Sequence, residues 1–237
     1  MSARRGKRRF LLALCLACTA LFAALGVWQV ERLAWKLDLI ERVEARIHAP
    51  SSPLPPPAAW AALDDAEEYR KVRMRGTFVH ESETLVEALT ERGRGFWVVT
   101  PLRTADGTVL VNRGFVPPDS RNAATRSAGQ VPGPVTVTGL LRLDEPDGRF
   151  LRSNVPAAER WYSRDVTAIA RARGLGEAAP FFVDADATAN PGGHPVGGLT
   201  VVNFRNAHLV YALTWFALAV LSLAGLVLVA RSGKDAP

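Results

Sequence analysis

The chain has 237 residues, and its 29 lysines and arginines against 23 aspartates and glutamates give a formal net charge of +6. Much of this excess lies in a basic head, residues 1–9, whereas elsewhere basic and acidic residues are interleaved, which argues against a nucleic-acid-binding protein. Both cysteines, Cys15 and Cys18, lie in an apolar run, so the polar middle of the chain contains no disulfide and no cysteine-linked haem. Their C-x-x-C spacing suits redox chemistry only if a thiolate is accessible, which favours the alternative of two small helix residues.

Two uncharged apolar runs predict transmembrane helices at residues 10–30 and 207–230. Each has about 20 residues, enough at about 1.5 Å per residue to cross a hydrocarbon layer of about 30 Å. Basic residues before the first run, and Arg231 and Lys234 after the second, place both termini in the cytoplasm and the middle on the opposite side. The alternative for the first run is a signal peptide cleaved near Ala24-Leu25-Gly26.

Residues 31–59 are expected to form a juxtamembrane helix and a linker. Helical periodicity continues from the first run to Val43, with Trp28 and Trp35 suited to the membrane interface and Arg32 and Lys36 to its headgroups. The proline-rich stretch 50–57 is expected to be extended rather than packed.

A folded domain is predicted at residues 60–206. Alternation of apolar residues predicts strands at 71–79, 84–89, 96–100, 108–113, 135–142, 180–184 and 199–203. We expect the first strand to be broken or bulged at Gly76, the third to end at Pro101, and Ala105-Asp106-Gly107 to form a hairpin turn. Residues 119–134 read as a polar loop and 161–174 as a helix. The predicted fold is thus a membrane protein in which two transmembrane helices flank a β-rich α+β extracytoplasmic domain or partly open barrel.

One histidine marks the entrance to the second apolar run. His208, Tyr211 and Trp215 are spaced i, i+3 and i+7, which is one face of a helix. A neutral imidazole is a good axial ligand for haem iron. The alternative is an interfacial histidine that is hydrogen-bonded to the protein or to a headgroup. The other histidines, at 48, 80 and 194, have no metal-ligand spacing, and no catalytic motif is present, so no enzyme is predicted.

Three stretches of the chain, in order, carry a family resemblance. They are Leu25-Gly26-Val27-Trp28-Gln29 with Arg32, Lys36, Leu39 and Ile40; Thr100-Pro101-Leu102 with 110–117; and Asn206, His208-Leu209, Tyr211-Ala212 and Thr214-Trp215-Phe216. Further similar residues lie between these stretches: Trp161-Tyr162, Asp165 and 181–184. Together they resemble the surfeit-locus-one family of cytochrome c oxidase assembly proteins, and the chain resembles a bacterial member of it. Phe115 stands where the family often has tryptophan, and Ala207 where it often has a second asparagine.

The resemblance implies a non-enzymatic assembly factor in the bacterial cytoplasmic (inner) membrane, with a periplasmic domain. Its partners would be the catalytic subunit of haem–copper cytochrome c oxidase, the haem a synthesis machinery and the lipid bilayer, with no nucleic acid. The cofactor would be haem a, with His208 as the iron ligand. The alternative is a cofactor-free scaffold that stabilises an assembly intermediate of the oxidase.

The remaining candidate residues would surround this haem. Tyr211 and Trp215 would pack on the macrocycle, and Arg32, Arg205 or Arg113 would pair with a propionate or, for Arg113, a partner carboxylate. Trp28, Gln29 and Arg32 would complete a two-helix site, unless they only anchor the chain in the interface. Asn112 and Gly114 are interpreted as structural residues of a strand end.

Overall fold

A computed structural model describes residues 2–149, 151–200, 202 and 206–232, with side chains described from Gly6 onward. The chain divides into two compact units. One consists of Met1–Arg42 together with Asn203–Pro237, and the other of Val43–Val202. We call them the helix unit and the barrel unit.

The helix unit is an antiparallel pair formed by α1 (Ser2–His48), which belongs to this unit as far as Arg42, and α4 (His208–Arg231). Near one end, Arg8 Nε and Nη2 donate to the carbonyl oxygens of Val229 and Ala230 at 3.3 and 2.9 Å. These are carbonyls of the last turn of α4, where a helix lacks internal donors and favours a cation. Both helices are long and apolar enough to cross a membrane. The predicted continuation of the first helix is confirmed and reaches His48, beyond the expected Val43.

The barrel unit is built on one seven-stranded sheet whose order is β1-β2-β6-β7-β5-β4-β3. The strands are β1 (Ser52–Pro53), β2 (Lys71–Phe78), β3 (Thr84–Thr90), β4 (Gly93–Thr104), β5 (Thr108–Val116), β6 (Pro134–Leu143) and β7 (Ala178–Ala185). β1–β2 and β5–β7 pair in parallel, and the other strand pairs named here are antiparallel. An additional antiparallel pairing of β2 with β4 closes the ring β2-β6-β7-β5-β4, so the predicted β-rich domain is a five-stranded barrel-like sheet.

Gly76 is one of the residues at which β2 pairs with both β6 and β4. It pairs with Val135 on β6 and with Thr104 on β4, and the β2–β6 register is unbroken from Lys71 to Thr77. A Cβ at this position would lie 2.3 Å from the Arg103 carbonyl oxygen, so only glycine lets the two backbones approach this closely. The expected break or bulge at Gly76 is therefore wrong, because the glycine serves closure of the sheet.

Two other strand predictions need correction. The strand expected to end at Pro101 continues to Thr104, and Pro101 pairs with Leu110 while its carbonyl oxygen accepts from Val79 N at 2.8 Å. Proline removes one donor, but it keeps its acceptor. At 199–203, the described residues 199, 200 and 202 lie in no strand, and residues 201 and 203 lie outside the described part.

The proline-rich stretch is extended, as expected, but it is packed. β1 pairs in parallel with β2, and the Trp60 indole donates to the Pro55 carbonyl oxygen at 2.8 Å. The Trp60 ring meets Phe181 edge-on, with a centroid distance of 5.7 Å. It follows that the stretch belongs to the barrel unit, because Leu54 and the Trp60 side chain of helix α2 (Pro57–Trp60) pack against that unit's core.

Alternation along the strands produces two apolar cores. Phe181 belongs to a cluster of residues from β2, β4, β5, β6 and β7, whereas its neighbour Phe182 packs with Trp161 and with Ile169 of α3 (Val166–Ala172). Successive side chains of a strand point to opposite faces, so β7 separates the two cores. The helix expected from residue 161 begins only at Val166, because Asp165 caps it by accepting from Ala168 N at 2.8 Å.

Candidate cofactor site at the helix pair

The helix unit brings together two residues that lie 179 positions apart. His208, the first residue of α4, has its Nδ1 atom 2.8 Å from Gln29 Oε1 on α1. Gln29 is buried, at 8% exposure, although most of its neighbours along α1 are exposed. The expected meeting of the Trp28–Arg32 stretch with the His208 stretch is thus found at this pair.

This hydrogen bond orients the imidazole ring. An amide oxygen only accepts, so His208 Nδ1 donates to Gln29 Oε1. In the neutral ring, the lone pair then lies on the other nitrogen, Nε2, to which no described residue donates a hydrogen bond. Histidines that bind metals are commonly oriented in this way, by an acceptor on the nitrogen that does not bind the metal. The His208 backbone N–H donates to Asn206 Oδ1 at 3.4 Å.

The aromatic residues behind His208 do not share one environment. Trp215 stacks on Phe22 of α1, with ring centroids 5.7 Å apart and planes inclined by 25°. Tyr211, in contrast, is 56% exposed. On the predicted face of α4, His208 and Trp215 contact α1 and the neighbouring Ala212 is buried, whereas Tyr211 lies at the exposed edge of that face. Contacts along this face follow i+4 and i+7 rather than i+3.

The remaining helix-unit candidates are polar or exposed. Trp28 is 53% exposed, and the Arg32 guanidinium lies 3.9 Å from the centre of the Trp35 ring. Arg205 lies outside the described residues. Exposed Trp28 and Arg32 leave an aromatic face and a cation on the same helix as Gln29.

Sequence reasoning missed the residue that lets the two helices pack closely. A Cβ on Gly26 would lie 2.6 Å from Phe216 Cε1, so the Phe216 ring occupies the space above that glycine. Small residues allow such close approach between helices, particularly in membranes. The signal was present in Leu25-Gly26-Val27-Trp28-Gln29, where the glycine interrupts an apolar run.

The second predicted cluster, residues 112–114, belongs to the barrel unit. Asn112 Nδ2 donates to Asp184 Oδ1 at 2.7 Å, while Asn112 Oδ1 accepts from Gly114 N at 3.1 Å. Gly114 has φ +125°, and a Cβ there would lie 2.1 Å from the Val196 carbonyl oxygen. The expected positive φ of Gly114 and the bond of Asn112 to the nearby backbone are found, but both residues lie within β5 and not at a strand end. Arg113 is buried within the barrel unit, at 2% exposure.

Other metal chemistry finds no support in the described part of the chain. No group of three or more histidine, cysteine, aspartate or glutamate side chains there could hold a metal ion. His48 pairs with Glu44, and His80 with the Val131 carbonyl oxygen. A haem iron differs from a bare ion because the macrocycle supplies most of its ligands, so a single imidazole is sufficient on the protein side.

Comparison with known proteins agrees with the sequence motifs. Residues 16–220 match the SURF1 family. Surfeit locus protein 1 of Mus musculus is 43% identical over 211 residues, which cover 82% of this chain and 67% of the mouse protein. The human protein of the same name is 40% identical over 213 residues, with 82% and 69% covered. A SURF1-like protein of Monosiga brevicollis is 38% identical over 226 residues, with 89% and 84% covered. With its motifs in order and these matches over most of its length, the chain belongs to the SURF1 family.

Proposed function

We propose that this protein is a membrane-anchored assembly factor for haem–copper cytochrome c oxidase that binds haem a and aids its delivery to the catalytic subunit. The observation that carries the haem proposal is the His208–Gln29 pair, which orients the imidazole through Nδ1 and uses no hydrogen bond at Nε2. The oxidase as target rests on the family to which the chain belongs. No catalysis by the protein is part of the proposal.

The residues of the helix unit suit a haem in three respects. The iron would accept the neutral His208 nitrogen, which needs no negative charge from the protein. Tyr211 and Trp28 present exposed aromatic faces for packing on an apolar macrocycle, whereas Trp215 has one face covered by Phe22. The Arg32 guanidinium is a suitable partner for a propionate. Arg113 is not part of this proposed site.

The proposed location follows from the same two helices. Because α1 and α4 are antiparallel, one crossing each would place both termini on the same side of the membrane. The basic head would make that side the cytoplasm and place the barrel unit in the periplasm of a bacterial cell. The His208–Gln29 pair would then lie near the outer face of the cytoplasmic membrane. A haem carrying a farnesyl tail partitions into lipid, so a ligand at that boundary could receive it from the haem a synthesis machinery.

The test is the absorption spectrum of the full chain purified in detergent from cells that make haem a. We expect the reduced wild type to show bound haem a and His208→Ala to lose it. Gln29→Leu should weaken binding by about 10–100-fold, the usual cost of losing a partner that orients a metal ligand. Gln29→Glu, which keeps an acceptor for Nδ1, should bind more tightly than Gln29→Leu.

A matched control distinguishes loss of the proposed iron ligand from the loss of any one histidine. His48→Ala removes an exposed histidine at the far end of α1 and should leave the spectrum unchanged. Equal haem a in wild type and His208→Ala would refute the ligand assignment. If the wild type binds no haem a, but deleting the gene for this protein still lowers the amount of assembled oxidase, the cofactor-free scaffold is the correct alternative.

A further inference from the structure

A small cavity lies in the barrel unit, at the end where β2 finishes and β6 begins. Its volume is about 180 Å³. Phe78, Val135 and Val137 contribute apolar wall, and Arg113 and Asn190 contribute polar groups. The cavity is smaller than the roughly 300–1,000 Å³ that drug-sized ligands occupy, so it suits a molecule of only a few heavy atoms.

Arg113 brings a buried and incompletely bonded cation to this cavity. Its Nη2 atom donates to the Gly129 carbonyl oxygen and, at 3.1 Å, to Asn190 Oδ1. Its guanidinium lies 4.7 Å from the centre of the Phe78 ring. The Nε and Nη1 atoms are buried and have no hydrogen-bond partner among the described residues. Buried donors of a charged group are normally satisfied, which makes these two nitrogens exceptional.

No carboxylate in the described part of the chain forms a hydrogen bond or an ion pair with Arg113. Glu83 is engaged by both terminal nitrogens of Arg126, through Nη1 at 2.9 Å and through Nη2. Asp186 lines the cavity, but its Oδ1 atom accepts from Thr188 N at 3.0 Å, and no hydrogen bond joins it to Arg113 in the described part. Burial lowers the pKa of Arg113 to about 10, with Glu83 opposing and Arg126 adding to the effect. Arg113 is therefore still charged at neutral pH.

We propose that this cavity binds a small organic monocarboxylate, whose carboxylate pairs with the positive charge of the Arg113 guanidinium and whose short alkyl part packs on Phe78, Val135 and Val137. A single negative charge balances the one uncompensated guanidinium. A dianion such as phosphate is disfavoured, because the Asp186 carboxylate lines the same cavity. The site lies wholly within the barrel unit and does not depend on haem binding at the helix unit.

The experiment is calorimetric titration of the full chain in detergent with acetate, propionate and butyrate, each against chloride and inorganic phosphate at equal ionic strength. We expect saturable binding of at least one monocarboxylate and weaker binding of phosphate. Arg113→Met should weaken that binding by at least about tenfold, the effect of losing hydrogen bonds to a charged group. The variant should fold, because it removes an uncompensated buried charge.

Two further variants keep the test decisive if Arg113→Met does not fold. Ala189→Phe alters an exposed loop residue that lines the cavity and should block binding by filling it. Arg121→Met is the matched control, since Arg121 contacts the Phe96 ring outside the cavity, and it should bind as the wild type does. The proposal is overturned if no carboxylate binds more tightly than chloride, if phosphate binds best, or if Ala189→Phe binds normally.

Discussion

The helix unit exposes many of its large apolar side chains, whereas the barrel unit buries side chains of the same types. In the helix unit, Leu21 and Leu221 are 56% and 67% exposed, whereas in the barrel unit Val109 and Phe181 have no exposed surface. Burial of apolar area drives folding in water, but lipid is as apolar as leucine and offers no such drive. The comparison indicates that the two units are suited to different solvents.

The two units also differ in how they treat polar groups. The barrel unit buries charged side chains in pairs and networks, such as Glu83 with Arg126 and Asp184 with Arg142 and Arg164. In the described helix unit, interhelical polar contacts lie near the helix ends, at Arg8 and at the His208–Gln29 pair. Packing between Gly26 and Phe216 supplies contact away from those ends. We therefore expect the barrel unit to be most sensitive to mutations that leave a buried charge unpaired. The helix unit should be most sensitive to mutations that disturb side-chain packing between α1 and α4.

The largest expected effect is from the buried ion pair of the barrel unit. Glu83→Gln should lower its free energy of unfolding by about 3–5 kcal/mol, because it leaves the Arg126 charge buried without a counter-charge. Urea unfolding of the full chain in detergent, followed by tryptophan fluorescence, measures this change. Glu87→Gln is the control, since Glu87 and Arg152 are largely exposed and their pair should contribute no more than about 1 kcal/mol. Equal effects of the two variants would contradict the distinction between buried and exposed pairs.

A smaller effect is expected from overpacking the helix unit. Gly26→Val should weaken the association of α1 with α4 by about 1–3 kcal/mol, because its side chain would overlap the Phe216 ring. The midpoint of separation by sodium dodecyl sulfate, followed by tryptophan fluorescence, reports this change. Gly6→Val places the same substitution on the same helix, where a Cβ meets nothing within 4 Å. A midpoint shifted as much by Gly6→Val as by Gly26→Val would show that β-branching, not contact, is responsible.

The smallest effect concerns the pH dependence of the barrel unit. Burial by itself raises the pKa of Glu145, but the hydrogen bonds and charge of Arg164, with a contribution from Arg142, hold it below its ordinary value. A lowered carboxylate pKa stabilises the folded state above the unfolded pKa of about 4.3, and this contribution is lost as the pH falls below it. Glu145 is one-third exposed, so the contribution should be no more than about 1 kcal/mol.

Glu145→Gln measures that contribution directly. The stability gap between wild type and Glu145→Gln, from urea unfolding, should be larger at about pH 5.5 than at about pH 3.5. Glu159→Gln is the comparison, because its partner Arg173 also lowers the pKa of Glu159 but the carboxylate is 57% exposed. If the difference in stability between wild type and Glu145→Gln instead widens on acidification, the Glu145 carboxylate is not the source of this pH dependence.

Much of the architecture could be predicted from local patterns in the sequence. The two long apolar helices, six of the seven predicted strands and the Asp106-Gly107 turn depend on periodicity and turn chemistry, which act over a few residues. The predictions at Gly76 and Pro101 failed because glycine and proline were treated as breaks. In the folded chain, Gly76 admits a neighbouring backbone and Pro101 uses only its carbonyl oxygen.

In the candidate site, too, local patterns predicted some features and long-range packing determined the others. The sequence alone placed His208 at the start of an apolar helix and Gln29 near the end of another apolar run, because hydropathy is readable along one chain. Only the tertiary structure decided that these two side chains meet at 2.8 Å, that Trp215 turns toward Phe22 and that Arg113 is buried. Contacts between residues far apart in sequence depend on helix rotation and strand closure, and these are determined by side-chain packing against partners that no local pattern identifies.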